Sequence, residues 1–261
     1  MAMQIPVDVL EALFSRELAV NVWPFFRIAG VLMVAPVFGA RLVPVRTRLA
    51  FAVAATYVLS PLVPVTPPFE ITLGAVFTVM QEVLIGVAIG FCLQMIFDAL
   101  VTAGQTIAMS MGLGLATMID PQRGVSVPVI SQFFLILGTL IFLSLGGHLA
   151  TLRLVSDSFT LLPVGEPLGR EGIWMIASWG GRMLAGAVQI ALPAATALLV
   201  ANIAFGVMSR AAPTLNLFAV GLPAGMLLGF VILLLNLGHL SALLAQMLQS
   251  TLEMLTSALQ A

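Results

Sequence analysis

Long stretches without a formal charge limit what this chain can fold into. No Asp, Glu, Arg or Lys occurs between Arg182 and Arg210 or between Arg210 and Glu253, and residues 49–69 and 124–152 are also uncharged. About 20 mostly apolar residues suffice to cross the hydrocarbon layer of a membrane. Only 8% of the residues are charged, against about 25% in a typical soluble domain. The sequence therefore predicts an all-α membrane protein whose apolar surplus faces lipid or other subunits.

Apolar runs and helix breakers divide the chain into about six hydrophobic helical segments. Proline lacks the backbone donor that a helix needs, so Pro and Gly clusters mark the connections, including a predicted loop over 162–172. From Leu240 onward, apolar residues at spacings of three and four predict an amphipathic helix, which lies in the membrane interface or packs against a partner. The six segments lie near residues 18–39, 47–64, 71–103, 127–152, 183–209 and 216–238.

Few residues could carry chemistry. Cys92 is the only cysteine, and the only histidines, His148 and His239, have no companion ligand at helical spacing. The sequence contains no zinc-protease, serine-hydrolase or nucleotide-binding motif. With a net charge of −1 it also offers no basic face for nucleic acid. We therefore predict no catalytic residue, no metal site, no cofactor and no nucleic-acid partner.

Three charged residues lie inside apolar runs, where a charge is expensive and indicates a functional position or a buried partner. They are Arg27, Glu82 and Asp98. Glu82 and Asp98 would lie about 24 Å apart on one helix, which disfavours a proton relay between them. We expect these charges to form pairs at interfaces or to face water.

Glycines at four-residue spacing predict close contacts between helices, because backbones without side chains can approach each other. Gly86 and Gly90 form one such pair, and Gly221, Gly225 and Gly229 form a double one. The double spacing favours packing between subunits, although glycine is common in membrane helices generally.

The segment 109–123 is too irregular for a membrane span and too apolar for an ordinary surface loop. Its glycines permit unusual backbone angles, and its methionines supply flexible apolar side chains. Such backbone is tolerated at membrane depth inside protein or along a cavity. Two interpretations therefore stay open on these grounds, a deformable plug in a pore and a buried re-entrant loop without a gating role. The candidate plug residues are Met109, Met111, Gly112, Leu113, Gly114, Leu115 and Met118.

Several stretches resemble the FliR family of flagellar export proteins, which is related to the SctT components of virulence type III secretion. Residues 23–52 resemble the opening of that family, and MGLGLATMIDP at 111–121 resembles its central loop. GGHL at 146–149, LLPVG at 161–165 and the stretch 191–223 match later landmarks in the same order. The resemblance covers most of the chain.

The resemblance implies an architecture and a function. A FliP-like part would cover residues 1–181, including a central plug loop at 109–123, and a FliQ-like helical hairpin with an amphipathic tail would cover 182–261. The chain would be a structural and gating component of the flagellar export channel, in the bacterial inner membrane and flagellar basal body. It would pass unfolded flagellar subunits and hydrolyse nothing. The implied partners are FliP and FliQ homologues, with FlhA and FlhB homologues nearby, and membrane lipid.

A secondary transporter for a small solute is the competing hypothesis. Such a protein needs discontinuous helices in two matching halves with a polar site between them. Glycine and proline breaks are present, but polar residues within the apolar runs are sparse and no two-half repeat is visible. An intramembrane protease is disfavoured because a plausible catalytic set is lacking.

Overall fold

The structure, a computed structural model, describes residues 7–40, 43–64, 72–113, 128–211 and 217–261. Within these ranges the chain forms eight α-helices and no strand, so the all-α prediction is confirmed. A short 3-10 turn, Ser60–Leu62, follows the second helix. The helices are α1 (Val7–Val34), α2 (Val45–Leu59), α3 (Leu73–Ser110), α4 (Val129–Ser144), α5 (Gly147–Leu161), α6 (Arg170–Ser178), α7 (Gly180–Ala211) and α8 (Leu217–Gln260).

The chain forms two compact units, each assembled from separate stretches of sequence. The first unit contains Met1–Gln94, Gly146–Trp179 and Ser250–Ala261, and the second contains Met95–Leu145 and Gly180–Gln249. Helices α3 and α8 therefore contribute residues to both units. The division into residues 1–181 and 182–261 stays a prediction, because it concerns similarity to two other families.

Among the described residues, three helical stretches are long and apolar enough to cross a membrane. They are Leu73–Ser110, Arg170–Ala211 and Pro223–Gln260, and the bent pair of α4 and α5 would count as a fourth. The expectation of a membrane protein is thus supported, but the six segments are not six comparable spans. Segment 127–152 forms two helices, because the chain turns at Gly146, whose φ of 70° suits glycine and interrupts the helix.

Two predicted boundaries are wrong. The loop predicted over 162–172 ends at Gly169, since α6 begins at Arg170. The amphipathic helix predicted after Leu240 is not a separate element, because α8 runs without a break to Gln260. Good helix formers such as Ala, Leu, Met and Gln dominate that stretch, and neither Gly nor Pro occurs in it.

The core of the first unit brings α1 against α3 and the end of α8 against α6. A Cβ placed on Gly30 of α1 would lie 2.6 Å from the carbonyl oxygen of Val83, so the two backbones are in close contact. A Cβ on Gly169 would lie 2.5 Å from the carbonyl oxygen of Ala261. The last turns of α8 therefore pack against α6 within their own chain. They bury Thr251, Met254, Leu255, Ala258 and Leu259.

The core of the second unit is formed by α4, α7 and parts of α3 and α8. Phe97 of α3 meets Phe142 of α4 edge to face, with ring centroids 5.5 Å apart. A Cβ on Gly104 would lie 2.6 Å from the Cα of Ser131, which shows how closely α3 approaches α4. The side of α7 that faces this core presents small or branched apolar residues at helical spacing, which are Ala187, Ala191, Ala194 and Leu198.

Candidate functional site: a buried arginine clamp and the end of helix α3

Arg27 of α1 and Glu82 of α3 form an ion pair inside the first unit. Both side chains have no solvent exposure. Arg27 Nε donates to Glu82 Oε2 at 2.6 Å, and Arg27 Nη2 donates to Glu82 Oε1 at 3.1 Å. This two-pronged geometry matches the planar guanidinium to the carboxylate and is the strongest form of such a pair. Two of the three charges found in apolar runs thus neutralise each other.

The third nitrogen of Arg27 binds the end of α5. Nη1 donates to the carbonyl oxygens of Ser158 at 2.9 Å and Leu162 at 3.0 Å, and to the Ser158 hydroxyl at 3.2 Å. The Ser158 carbonyl already accepts the helical bond from Leu162 N–H, so the arginine is a second donor to it. The carbonyls at the end of a helix carry partial negative charge, which makes a cation favourable there. Arg27 Cζ also lies 4.3 Å from the centre of the Phe159 ring. One arginine therefore ties α1, α3 and α5 together, and we call this set of contacts the Arg27 clamp.

Glycine on α3 permits the clamp. A Cβ on Gly86, one helical turn after Glu82, would collide with the carbonyl oxygen of Arg27 itself. A Cβ on Gly90, one turn further, would lie 2.8 Å from the carbonyl oxygen of Val31. The two glycines lie where α3 crosses α1, and their missing side chains let the backbones approach closely enough for Glu82 to reach Arg27.

The clamp is built to hold helices rather than to react. Gly165, in the loop after α5, donates its backbone N–H to Glu82 Oε1 at 3.4 Å, which adds a further segment to the set. Asp98 lies in the second unit, half-buried, and its backbone carbonyl accepts a hydrogen bond from Thr102 Oγ1 at 2.7 Å. Among the described residues, no three His, Cys, Asp or Glu side chains gather as metal ligands. The arrangement therefore suits mechanical fastening.

Helix α3 ends where the predicted plug segment begins. Met109 still belongs to the helix, and the turn comes at Gly112, whose φ is 82°. Leu113 N donates to the carbonyl of Ala108 at 3.0 Å, and Gly112 N donates to that of Met109 at 3.1 Å. These two bonds form a Schellman motif, which places glycine after the last helical turn. Gly114, Leu115 and Met118 lie outside the described residues.

Met111 is buried against glycine in the second unit. A Cβ on Gly229 of α8 would lie 2.6 Å from both Cγ and Cε of Met111, so the methionine fills the space that this glycine leaves. Asn202 of α7 donates from Nδ2 to the carbonyl oxygen of Ser110 at 3.4 Å. A Cβ on Gly225, in contrast, would meet no heavy atom of the described chain within 4 Å. The start of the predicted plug is thus held by α7 and α8.

Sequence reasoning missed the partners of Arg27 on α5. Ser158 and Phe159 look like ordinary residues of an amphipathic helix, and Gly165 looks like an ordinary loop glycine. The only available signal was that Arg27, alone in an apolar run, must find a partner. That signal points to an acidic residue and not to the carbonyl groups of a distant helix end.

These features define an all-α integral membrane protein whose buried polar groups fasten helices. The chain matches the model of a protein family described as bacterial export proteins, family 1, over residues 18–251. Flagellar biosynthetic protein FliR of Escherichia coli (strain K12) is 35% identical over 208 residues, which are 79% of this chain and 80% of that protein. The chain belongs to this FliR family of bacterial export proteins.

Relatives from two other bacteria are similar over most of their length. FliR of Aquifex aeolicus is 35% identical over 219 residues, covering 82% of this chain and 83% of that protein. FliR of Bacillus subtilis is 29% identical over 233 residues, covering 88% and 90%. The family resemblance derived from the sequence is therefore confirmed over nearly the whole chain.

Proposed function

We propose that this protein is a structural and gating component of the flagellar type III export channel in the bacterial inner membrane, at the flagellar basal body. The main support for this proposal is the family match over residues 18–251, together with relatives that are named flagellar biosynthetic proteins. The match spans most of the helical body rather than one motif. It supports export of unfolded flagellar subunits over transport of a small solute.

The surface of α7 and α8 supports assembly with other subunits. In an apolar 18-residue stretch of each, only 22% of the residues are buried within the chain. Lipid or other membrane helices must cover the rest. We propose FliP and FliQ homologues as the direct partners, with FlhA and FlhB homologues nearby. In this scheme residues 1–181 correspond to the FliP-like part, and 182–261 correspond to the FliQ-like hairpin.

The segment after α3 is proposed to close the channel when no substrate is present. Met109, Met111, Gly112 and Leu113 begin this plug, and its remaining residues are Gly114, Leu115 and Met118. Methionine side chains are flexible and apolar, so they can fill a constriction against ions and yield to a polypeptide chain. The burial of Met111 against Gly229 supports a defined resting position for the start of the plug. The protein hydrolyses nothing in this proposal, and its partners supply the energy.

A deletion tests the proposal in a strain that carries the complete export apparatus. Removal of the whole gene should abolish secretion of flagellar subunits and leave small-solute uptake unchanged. Removal of residues 112–118 alone should make the membrane several-fold more permeable to ions, measured as proton conductance, while the protein still assembles with its partners. Unchanged secretion in the first strain contradicts the export function, and unchanged conductance in the second contradicts the plug.

A matched pair of glycines gives a sharper test of the plug. Gly229→Ala forces Met111 from its site, whereas Gly238→Ala, on the same helix, meets open space. We expect an ion leak from Gly229→Ala, smaller than that from the deletion, and none from Gly238→Ala. Equal conductance in the two variants would show that the contact between Met111 and Gly229 does not contribute to closing the channel.

A further inference from the structure

A groove between α7 and α8 in the second unit is assigned no role by the export function. Its volume is about 470 Å³, and helices α3 and α4 close its base. That is within the range of cavities that receive a ligand or a partner's side chains. Five lining residues are buried and apolar and form the floor: Ile107, Phe134, Ala194, Leu233 and Leu240.

The rim of the groove is polar. Gln189 on α7 and His239 and Gln246 on α8 are exposed, and their side chains make no hydrogen bond with any residue that the structure describes. Asn236 donates from Nδ2 to the carbonyl of Ile232 at 2.8 Å, which leaves its amide oxygen as an acceptor. Four amide or imidazole groups thus converge on helices that carry no charge over this length. In hydrocarbon, polar groups without partners are costly.

Proline adds a backbone acceptor to the same rim. Pro193 lies inside α7 and lines the groove. Because proline has no N–H, it cannot donate the usual helical hydrogen bond to the carbonyl of Gln189, four residues earlier. Both the side chain and the backbone of Gln189 are therefore available for a partner at this point of the groove.

The chemistry of the rim limits what can occupy the groove. The lining residues include no Asp, Glu or Arg, so the groove offers a phospholipid phosphate no arginine fork. Acyl chains would cover the floor but could not bond to the amides. A membrane helix with uncharged polar side chains satisfies both surfaces, because its apolar residues cover the floor and its amides or hydroxyls meet the rim.

We propose that this groove receives a membrane helix of a partner subunit that carries uncharged amide or hydroxyl side chains. The inference rests on the proposed function only in that the partner belongs to the same membrane assembly. Two helices of this chain clasp the partner, and the hydrogen bonds at the rim set the depth at which the partner helix lies.

Photocrosslinking in native membranes tests the occupant of the groove. A photoreactive amino acid replaces Gln189 or Gln246 in the full chain, with the complete export apparatus present, and Ser241 serves as the control position. Ser241 is exposed on α8 outside the groove, and its hydroxyl already binds the carbonyl of Gly238 at 3.2 Å. Both groove positions should label the same helix of one other subunit, with Asn, Gln, Ser or Thr in the labelled span. Labelling of lipid alone, of a second copy of this chain or of a helix without such residues overturns the proposal.

Substitution measures the contribution of the rim. Gln189→Leu combined with Gln246→Leu keeps the side-chain volume and removes the hydrogen bonds. The photoreactive amino acid is then placed at Leu243, which also lines the groove and leaves both glutamine positions free for substitution. Loss of two interhelical bonds should lower recovery of the labelled partner by roughly eightfold, at about threefold per bond. Ser241→Leu should leave recovery unchanged, and an equal loss in that control contradicts the inference. If gene deletion spares flagellar secretion but the crosslinks still reach a polar membrane helix, the proposed function fails and the groove assignment stands.

Discussion

Helix α3 and the pair α7 and α8 are similarly long and apolar, yet they are covered in different ways. Of an apolar 18-residue stretch in α3, 61% of the residues are buried within the chain, against 22% in the corresponding stretches of α7 and α8. Mean hydropathy is thus similar in α3, which its own chain covers, and in α7 and α8, which lipid or other subunits must cover. An apolar run therefore shows that a helix is shielded from water, but it does not show whether the same chain, another subunit or lipid covers that helix.

The polar residues of the two regions follow the same division. The buried part of α3 contains a full charge, Glu82, because the chain supplies the opposite charge from Arg27. Helices α7 and α8 have no charge around their open groove and carry amides and an imidazole instead. A buried charge without a partner at short range carries a large desolvation free energy. A neutral amide whose partner comes from another chain carries a smaller one. The kind of polar residue therefore distinguishes the two regions better than the apolar residues do.

The largest effect is expected from breaking the Arg27 clamp. Arg27→Leu leaves the buried Glu82 carboxylate without its counter-charge and removes the donor to the Leu162 carbonyl. Glu82→Leu leaves the buried Arg27 guanidinium without its counter-charge. Each single substitution should lower the free energy of unfolding by about 3–5 kcal/mol. The double variant with leucine at both positions should be less destabilised than either single variant, because no buried charge remains. Denaturant unfolding of the purified chain in detergent measures all three.

Arg153→Leu provides the control for this series. Arg153 lies on α5 in the same unit, but it is exposed to solvent in the structure. Its substitution should change the free energy of unfolding by less than about 0.5 kcal/mol. If the effects of Arg27→Leu and Glu82→Leu simply add in the double variant, the two residues do not act as a pair. The chain would then not neutralise the buried charge of α3, and this difference between α3 and the pair α7 and α8 would be contradicted.

A smaller effect is expected from filling the space between α1 and α3. Gly86→Ala places a methyl group against the backbone carbonyl of Arg27, which cannot rotate away, so the helices must separate. We expect a loss of about 1–3 kcal/mol in the free energy of unfolding. In Gly74→Ala, on the same helix, the new methyl group would lie 3.5 Å from the Thr72 hydroxyl, an ordinary van der Waals contact, so no loss is expected. Equal stability of the two variants in the same unfolding assay would contradict a close α1–α3 contact.

Local patterns predicted much of this structure. The apolar runs identified helices in six places, and spacings of three and four from Leu240 onward identified residues that α8 buries, including Leu244, Leu248 and Leu255. The glycine spacing singled out Gly86 and Gly90, which lie at the α1–α3 crossing. Such features are predictable because they depend on a helix's own repeat and on the space that a missing side chain leaves.

Features that depend on distant parts of the chain were not predictable. Arg27 and Glu82 were each noticed, but nothing local connects α1 to α3, or either of them to the end of α5. The groove residues Gln189, Asn236 and Gln246 gave no signal, because isolated amides are ordinary in a helix until two helices bring them together. Hydropathy could not reveal that α3 is covered by its own chain and that α7 is open. Pairing across sequence is set by tertiary packing, which one sequence does not record.

The smallest effect concerns the open face of α7. Leu192 is 54% exposed, so Leu192→Ala removes few contacts within the chain and should change the free energy of unfolding of the purified protein by less than about 0.5 kcal/mol. Leu93 of α3 is completely buried, and the same substitution there should cost about 2–5 kcal/mol, because it leaves a cavity. The pair compares one residue type on two helices of similar hydropathy. A loss above about 1 kcal/mol for Leu192→Ala in the isolated chain would mean that α7 is packed against its own protein. The contrast with α3, and with it the need for an outside partner on α7, would then disappear.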